Sequence, residues 1–251
     1  MTLKHDEGYN IPPDAPFYPP LPAIYRDVSM QFLFFSARPE AVADILPEPL
    51  QASPDGSCVA AGIEVPFCTH YGSFLEAAIL LKCTFRGQAG YYCSHVFHNG
   101  PAGIAAGREI YGTPKIFADL AIRRVERSML TEASMGGVQV VRLSTITEQI
   151  VPSEVMPSLA PAWRLKIIPR ADGPGPAIKQ LVDCAHVTRD QIVHFFARGK
   201  GTVAFAASPF VDLSSLQPVS YADAFYMETS YSEDYATIVY DYLKESSPAN
   251  P

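Results

Sequence analysis

The sequence predicts a mostly β chain of the α+β class, built as one closed or nearly closed antiparallel barrel with a few peripheral helices. Three observations carry that prediction. About ten runs rich in β-branched and aromatic residues follow one another in a continuous series. Turn signals (PDG, RGQAG, MGG, ADGPGP and RGKG) separate those runs. Strict alternation of strands with helices, which would signal a parallel doubly wound sheet, is missing.

The elements can be justified in order. Residues 1–22 carry Pro12, Pro13, Pro16, Pro19, Pro20 and Pro22, so they form neither a helix nor a central strand. With Tyr9, Phe17 and Tyr18 as apolar anchors, the segment reads as an extended arm laid over the domain or a neighbouring subunit. Val28 to Phe35 reads as the first strand. In RPEAVADILPEPL, Arg38 to Leu50, Pro39 suits a first helical turn, Val42, Ile45 and Leu46 share a face, and Pro47 stops the helix. Strand-like runs follow at Cys58–Phe67, Phe74–Phe85, Tyr91–Phe97, Ile116–Val125, Val138–Thr147, Arg164–Ile168, Ile178–Thr188, Gln191–Ala197, Thr202–Ala206 and Ala222–Thr229. PAGIAAGREI (101–110) is a helical interlude, and the tail from Ser232 reads as a terminal helix that also tolerates a strand at Thr237–Val239. No repeat and no shift in composition divides the chain, so residues 1–251 form a single domain.

Composition narrows the function. Hydrophobic residues make up 48% of the 251, charged residues 18%, and the net charge is −7. That balance supports a globular core and argues against a nucleic-acid partner, which needs clustered Lys and Arg. Five cysteines without a CxxC pair fit a reducing cytoplasm better than a disulfide framework. The first residues, MTLKHDEGYN, lack the apolar stretch of a secretory signal. AAILLKC, the longest apolar run, is far too short to span a bilayer, so no membrane partner is expected.

Most motifs dissolve on inspection. GIAAGRE lacks the P-loop pattern, and its glycines suit close helix packing. His95 and His98 are three apart on a strand and point to opposite faces, so they do not converge on a metal. No GxSxG supports a serine nucleophile. One stretch stands apart: GREIYGTPKIF, Gly107 to Phe117. Pro114 fixes φ, so Lys115 leaves a stiff turn at the start of an apolar strand. An inward lysine would be desolvated, which favours the neutral amine that attacks ketones. An outward one would snorkel to water.

GREIYGTPK resembles the active-site segment of the acetoacetate decarboxylase family, GRE followed by a short spacer and Pro-Lys. LPEPL (46–50), RLKIIPRADG (164–173), IVYDYLK (238–244), Arg26 in IYRDVSMQFL and Glu76 in SFLEAAIL extend the resemblance over most of the chain. It implies a cone-like closed antiparallel β-barrel that forms homo-oligomers and acts on a small oxo acid without a cofactor, through a covalent Schiff base on Lys115. It further implies that Arg26 sits near the substrate carboxylate. Glu76 becomes the pocket carboxylate for proton transfer or orientation, and Glu64 a second, more loosely aligned one. Arg108 and Glu109 would form a buried structural ion pair that sets the helix against the barrel, with Pro114 holding the turn.

Two positions depart from the family pattern. Ile116 stands where family decarboxylases carry a second lysine, and Thr113 where they carry an aromatic, so both are expected to shape the substrate pocket. Acetoacetate decarboxylase is itself the standard example of a lysine activated by desolvation or by a neighbouring cation; with Ile116 in place of that cation, only desolvation, or help from Arg26, remains. The leading expectation is a β-keto acid decarboxylase. The alternative is an aldolase-dehydratase or hydratase acting on pyruvate-derived 2-oxo acids through the same iminium. A non-catalytic barrel that binds a small ligand is a third.

Overall fold

The computed structural model describes residues 18–245. Residues 1–17, and with them most of the expected arm, lie outside the described residues. Fifteen strands form one sheet: β1 (Ala23–Ser36), β2 (Gln51–Ala52), β3 (Ser57–Val65), β4 (Phe67–Cys68), β5 (Phe74–Phe85), β6 (Gln88–His98), β7 (Lys115–Phe117), β8 (Asp119–Val125), β9 (Ser128–Met135), β10 (Val138–Ile150), β11 (Ala162–Pro169), β12 (Pro176–Asp183), β13 (Thr188–Phe205), β14 (Ser220–Glu233) and β15 (Thr237–Asp241). The helices are α1 (Pro39–Ile45), α2 (Pro101–Ala106), which runs into a π-turn at Gly107–Tyr111, and the single turn α3 (Tyr242–Glu245). Among the described residues no helix is long and apolar enough to cross a membrane.

The mostly β class and the few helices are as the sequence predicts; the closure is not. The hydrogen-bonded path runs β15-β12-β11-β6-β5-β3-β1-β14-β13-β10-β9-β8 and has two free ends. Two pairings, β6–β7 and β6–β11, are parallel. The sheet brings β8 and β9 close to β5 without a ladder between them. The long strand expected at Ile116–Val125 breaks in two because β7 leaves β6 at Phe117 while β8 joins β9. The strands expected at Gln191–Ala197 and Thr202–Ala206 fuse into β13, and β14 and β15 replace most of the expected tail helix.

Alternation in β1 shows how the sheet separates two cores. Leu33 and Phe35 face a first core shared with Leu143, Val203 and Phe205. Phe32 and Phe34 face the opposite side, with Val59, Phe196, Phe225 and Met227. Burying such side chains contributes roughly 1.5–3 kcal/mol each. One polar node sits inside the first core. Gln31 Nε2 donates to Thr131 Oγ1 at 3.0 Å and to Leu143 O at 3.3 Å, and Thr145 Oγ1 donates to Gln31 Oε1 at 3.0 Å. Satisfied in this way, the amide costs little despite its burial.

Candidate active site

The second face holds a cavity of about 570 Å³. Its wall follows from strand alternation. On β5, Phe74, Glu76 and Leu80 share the cavity face, as do Ile63 and Val65 on β3, Ala162 and Arg164 on β11, and Met227, Tyr231 and Glu233 on β14. The segment from Ser153 to Ala160 covers it.

Lys115 reaches this cavity by a rigid route. Pro101 opens α2, and Gly112, at φ 72°, ends the π-turn in the left-handed region that glycine tolerates. The Thr113 N–H donates to Gly107 O at 2.9 Å, and the Lys115 N–H donates to Thr113 O at 2.7 Å around Pro114. β7 then pairs in parallel with β6, Lys115 beside Val96. The lysine stem lies along Gly107: a Cβ there would stand 2.7 Å from Lys115 Cδ and 2.9 Å from Cε. π-turns often mark functional sites, and here the turn brings a glycine face against the lysine.

The amine is not isolated. Lys115 Nζ lies 2.8 Å from Glu76 Oε2, and each side chain is only 13% exposed. Nζ also sits 5.5 Å from the centroid of Phe74. Burial alone would raise the Glu76 pKa; the charge of Lys115, followed by His98 and Arg164, outweighs it and holds the carboxyl below its ordinary value. Desolvation of the lysine thus comes with a counter-ion that sequence reasoning did not pair with it.

His98 completes this end. Its ring stacks on Phe74 at 4.4 Å, and Nδ1 accepts the Gly100 N–H at 2.8 Å, which places the ring proton on Nε2. Nε2 points toward Glu76 Oε2 at 4.0 Å and makes no hydrogen bond among the described residues. Burial first, and the charge of Lys115 second, push the His98 pKa down to about 4, so the ring is neutral at pH 7.

Sequence reasoning missed two further charged groups. Arg164 lines the cavity with a buried Nε that has no hydrogen-bond acceptor among the described residues. Glu233 Oε2 accepts the Tyr25 hydroxyl at 2.9 Å, beneath Tyr231, which stacks on Tyr25 at 4.8 Å. Burial raises the Glu233 pKa, and the Tyr25 hydrogen bond and the charges of Lys115 and Arg164 offset only part of that. The RLKIIP motif contained Arg164, and alternation puts it on the face opposite Leu165. Nothing in the sequence marked which face was the cavity.

The other expected residues divide. Thr113 is buried in the cavity wall. Arg26 is exposed, donates to Tyr25 O at 2.9 Å, and is absent from the wall. A bulge with Asp27 at φ 54° turns Tyr25 and Val28 inward and leaves Arg26 and Asp27 outward, so the expectation of Arg26 at the substrate is corrected. Glu64 is corrected in the same way, since Ile63 and Val65 take the cavity face. Ile116 packs on the first core, away from the cavity. Arg108 and Glu109 are exposed rather than a buried pair, because Gly107 and Tyr111 take the inner face of the π-turn; Glu109 instead accepts the hydroxyl of Tyr18. Both lie along a larger open groove of about 1110 Å³ that shares no residue with the cavity. Of these two spaces, the smaller encloses the converging Lys115, Glu76, Arg164 and Glu233.

The comparisons with known proteins agree with one another. The family model described as acetoacetate decarboxylase (ADC) matches residues 9–243. An acetoacetate decarboxylase of Chromobacterium violaceum is 28% identical over 246 residues, covering 95% of this chain and 96% of the relative. The crystal structure of acetoacetate decarboxylase from Legionella pneumophila superposes with a TM-score of 0.85 at 21% identity, over 95% of each chain. The enduracididine biosynthesis enzyme MppR, solved with the condensation product of pyruvate and imidazole 4-carboxaldehyde, superposes with a TM-score of 0.79 at 18% identity, over 96% of this chain and 98% of that one.

Proposed function

Because the chain belongs to the acetoacetate decarboxylase family, we propose that it is a Schiff-base lyase that decarboxylates a β-keto acid at Lys115. The observation that carries this reading is the Lys115–Glu76 pair at 2.8 Å inside a largely apolar cavity that also holds Arg164. A base at that distance can accept the ammonium proton and free the nucleophile.

Each residue then has a task. The Arg164 guanidinium, with a donor to spare, orients the substrate carboxylate. The Lys115 nitrogen attacks the ketone carbon, and loss of water gives the iminium. The bond to the carboxylate breaks, CO₂ leaves, and the electron pair moves onto the iminium nitrogen to give an enamine. Glu233, whose burial favours the protonated form, delivers a proton to the enamine carbon. Water then hydrolyses the new iminium, releasing the ketone and restoring the amine. The apolar wall excludes competing water and strengthens the local electrostatics.

A second reading keeps the iminium without decarboxylation: condensation or hydration of pyruvate-derived 2-oxo acids. It is favoured by Ile116, which stands in place of the second lysine, and by the product of pyruvate condensation held by the MppR fold. One experiment separates the readings. The protein is incubated with acetoacetate, or with pyruvate plus an aldehyde, then reduced with borohydride, and the Lys115 peptide is weighed. A Lys115 adduct with acetoacetate together with CO₂ release is expected. An adduct without CO₂ removes the decarboxylase reading, and no adduct with any oxo acid removes both.

A further inference from the structure

The floor of the cavity can be followed from strand to strand through the register. Glu76 on β5 pairs with Ile63 on β3, Ile63 with Met30 on β1, Met30 with Met227 on β14, and Met227 with Phe196 on β13. All five line the cavity. Directly paired residues point to the same face, so they form one continuous row. The row begins at the carboxylate beside Lys115 and continues through four apolar side chains. Strands lie about 4.8 Å apart, which puts Met227 roughly 14 Å and Phe196 roughly 19 Å from Glu76 along the floor. Met156 and Leu159 pack over the same cluster and roof the far end.

Acetoacetate does not need this trough. Its three C–C bonds span only about 4 Å. A volume near 570 Å³ is instead in the range that encloses ligands of drug size. Lys115, Glu76, Arg164 and Glu233 gather at one end, while two methionines, the residues best able to fit varied apolar shapes, stand in the middle of the row, with Gln191 Nε2 3.9 Å from Met227 Sδ.

We infer that the site takes oxo acids whose ketone carbon carries an extended apolar substituent of roughly four to eight carbons, laid along Ile63 and Met30 toward Met227, in preference to acetoacetate. This rests on the Schiff-base reading above. The carboxylate pairs with Arg164, the ketone meets Lys115, and the tail displaces water from the trough.

The test uses the unmodified protein and three acids: acetoacetate, 3-oxohexanoate and 3-oxooctanoate. kcat/KM for CO₂ release is measured with spontaneous loss subtracted, and each acid is also trapped on Lys115 with borohydride. Each buried methylene contributes about fourfold, so kcat/KM for 3-oxooctanoate is expected to exceed that for acetoacetate at least about tenfold. In Met227→Trp, or in Ile63→Phe should the first fold poorly, that ratio falls toward one. An adduct and CO₂ release from acetoacetate with a flat or falling series overturns this inference and leaves the Schiff-base reading intact. A ratio unmoved by both variants overturns the placement of the tail. No Lys115 adduct with any acid overturns both readings together.

Discussion

Gly107→Ala isolates the positioning of Lys115 from the stability of the fold. Gly107 has φ −58° and ψ −43°, which alanine adopts freely, and alanine in a helix is about 1 kcal/mol more favourable than glycine. The backbone therefore has no reason to unfold. The new methyl, however, would stand 2.7 Å from Lys115 Cδ and 2.9 Å from Cε. Carbon atoms in contact settle at about 3.5–4.0 Å, so the end of the lysine must move by ~1 Å. That takes Nζ away from Glu76, now 2.8 Å distant, and toward the limit of effective proton transfer, about 3.2 Å. A displacement of ~1 Å at a reacting centre costs about 100-fold, or ~2.7 kcal/mol of barrier. The assay is kcat/KM for CO₂ release, with the rate of borohydride-trappable adduct as a second readout and thermal melting as the control for folding. Gly173→Ala, at a position with no atom near its Cβ, is the matched substitution that should leave the rate unchanged. A Gly107→Ala protein that melts like the parent and turns over within threefold of it would refute the claim that this glycine seats the amine.

Three further outcomes are expected. The His98 pKa lies at about 4 in the folded chain against 6.5 in the unfolded one, so as pH falls the unfolded chain takes the proton first. Stability is present above about pH 6.5 and falls by roughly 3 kcal/mol by pH 4, at ~1.36 kcal/mol per unit, and urea melts of His98→Gln should lose much of that slope. Gly62→Ala would set a Cβ 2.1 Å from Thr131 Oγ1 inside the Gln31 node, so melting should drop several degrees, at about 2–4 °C for each of the ~1–3 kcal/mol that overpacking costs. Glu233→Gln should still form the Lys115 adduct while CO₂-coupled turnover falls about 10²-fold or more, because only the later proton delivery is removed; normal turnover in this variant would exclude Glu233 as the donor.

What the sequence could disclose was set by how local each signal is. The Pro114–Lys115 turn is local, but its residues left open whether the lysine points inward; the family resemblance selected Lys115 and Glu76, and in the structure the even-numbered face of β5 brings Glu76 to it. Arg26 was placed near the substrate by the family resemblance, and the bulge at Asp27, whose φ of 54° leaves no mark in composition, turns it outward. Glu233 was hidden by the opposite error: Ser232 looked like a helix cap, whereas pairing to β1 and β13 extends β14 through Glu233. Arg164 was quoted within a motif, but its face depends on which strands flank β11. That is a property of strand order, fixed by pairings far apart in the chain. Closure failed for the same reason, since no single stretch records that β8 and β15 end the path.

The two buried carboxylates show that burial does not by itself set a role. Both Glu76 and Glu233 lose water, and in both that loss pushes the pKa upward. Glu76 meets an ammonium at 2.8 Å, and ionisation wins. Glu233 meets a neutral phenol at 2.9 Å, with the cations acting more weakly on it, and burial wins. The partner therefore decides which carboxyl gives up its proton more readily, and on the proposed reading that suits Glu76 to accept a proton and Glu233 to carry one. Linkage gives the signs. Glu76 adds stability above its unfolded pKa that is lost as pH falls through its depressed folded value. Glu233 adds stability at low pH that is lost as pH rises through its raised one. The site thus spends folding energy on Glu233 at neutral pH. Under the proposed decarboxylation, a cost of that kind is expected, because the carboxyl group would have to hold its proton until an enamine forms beside it.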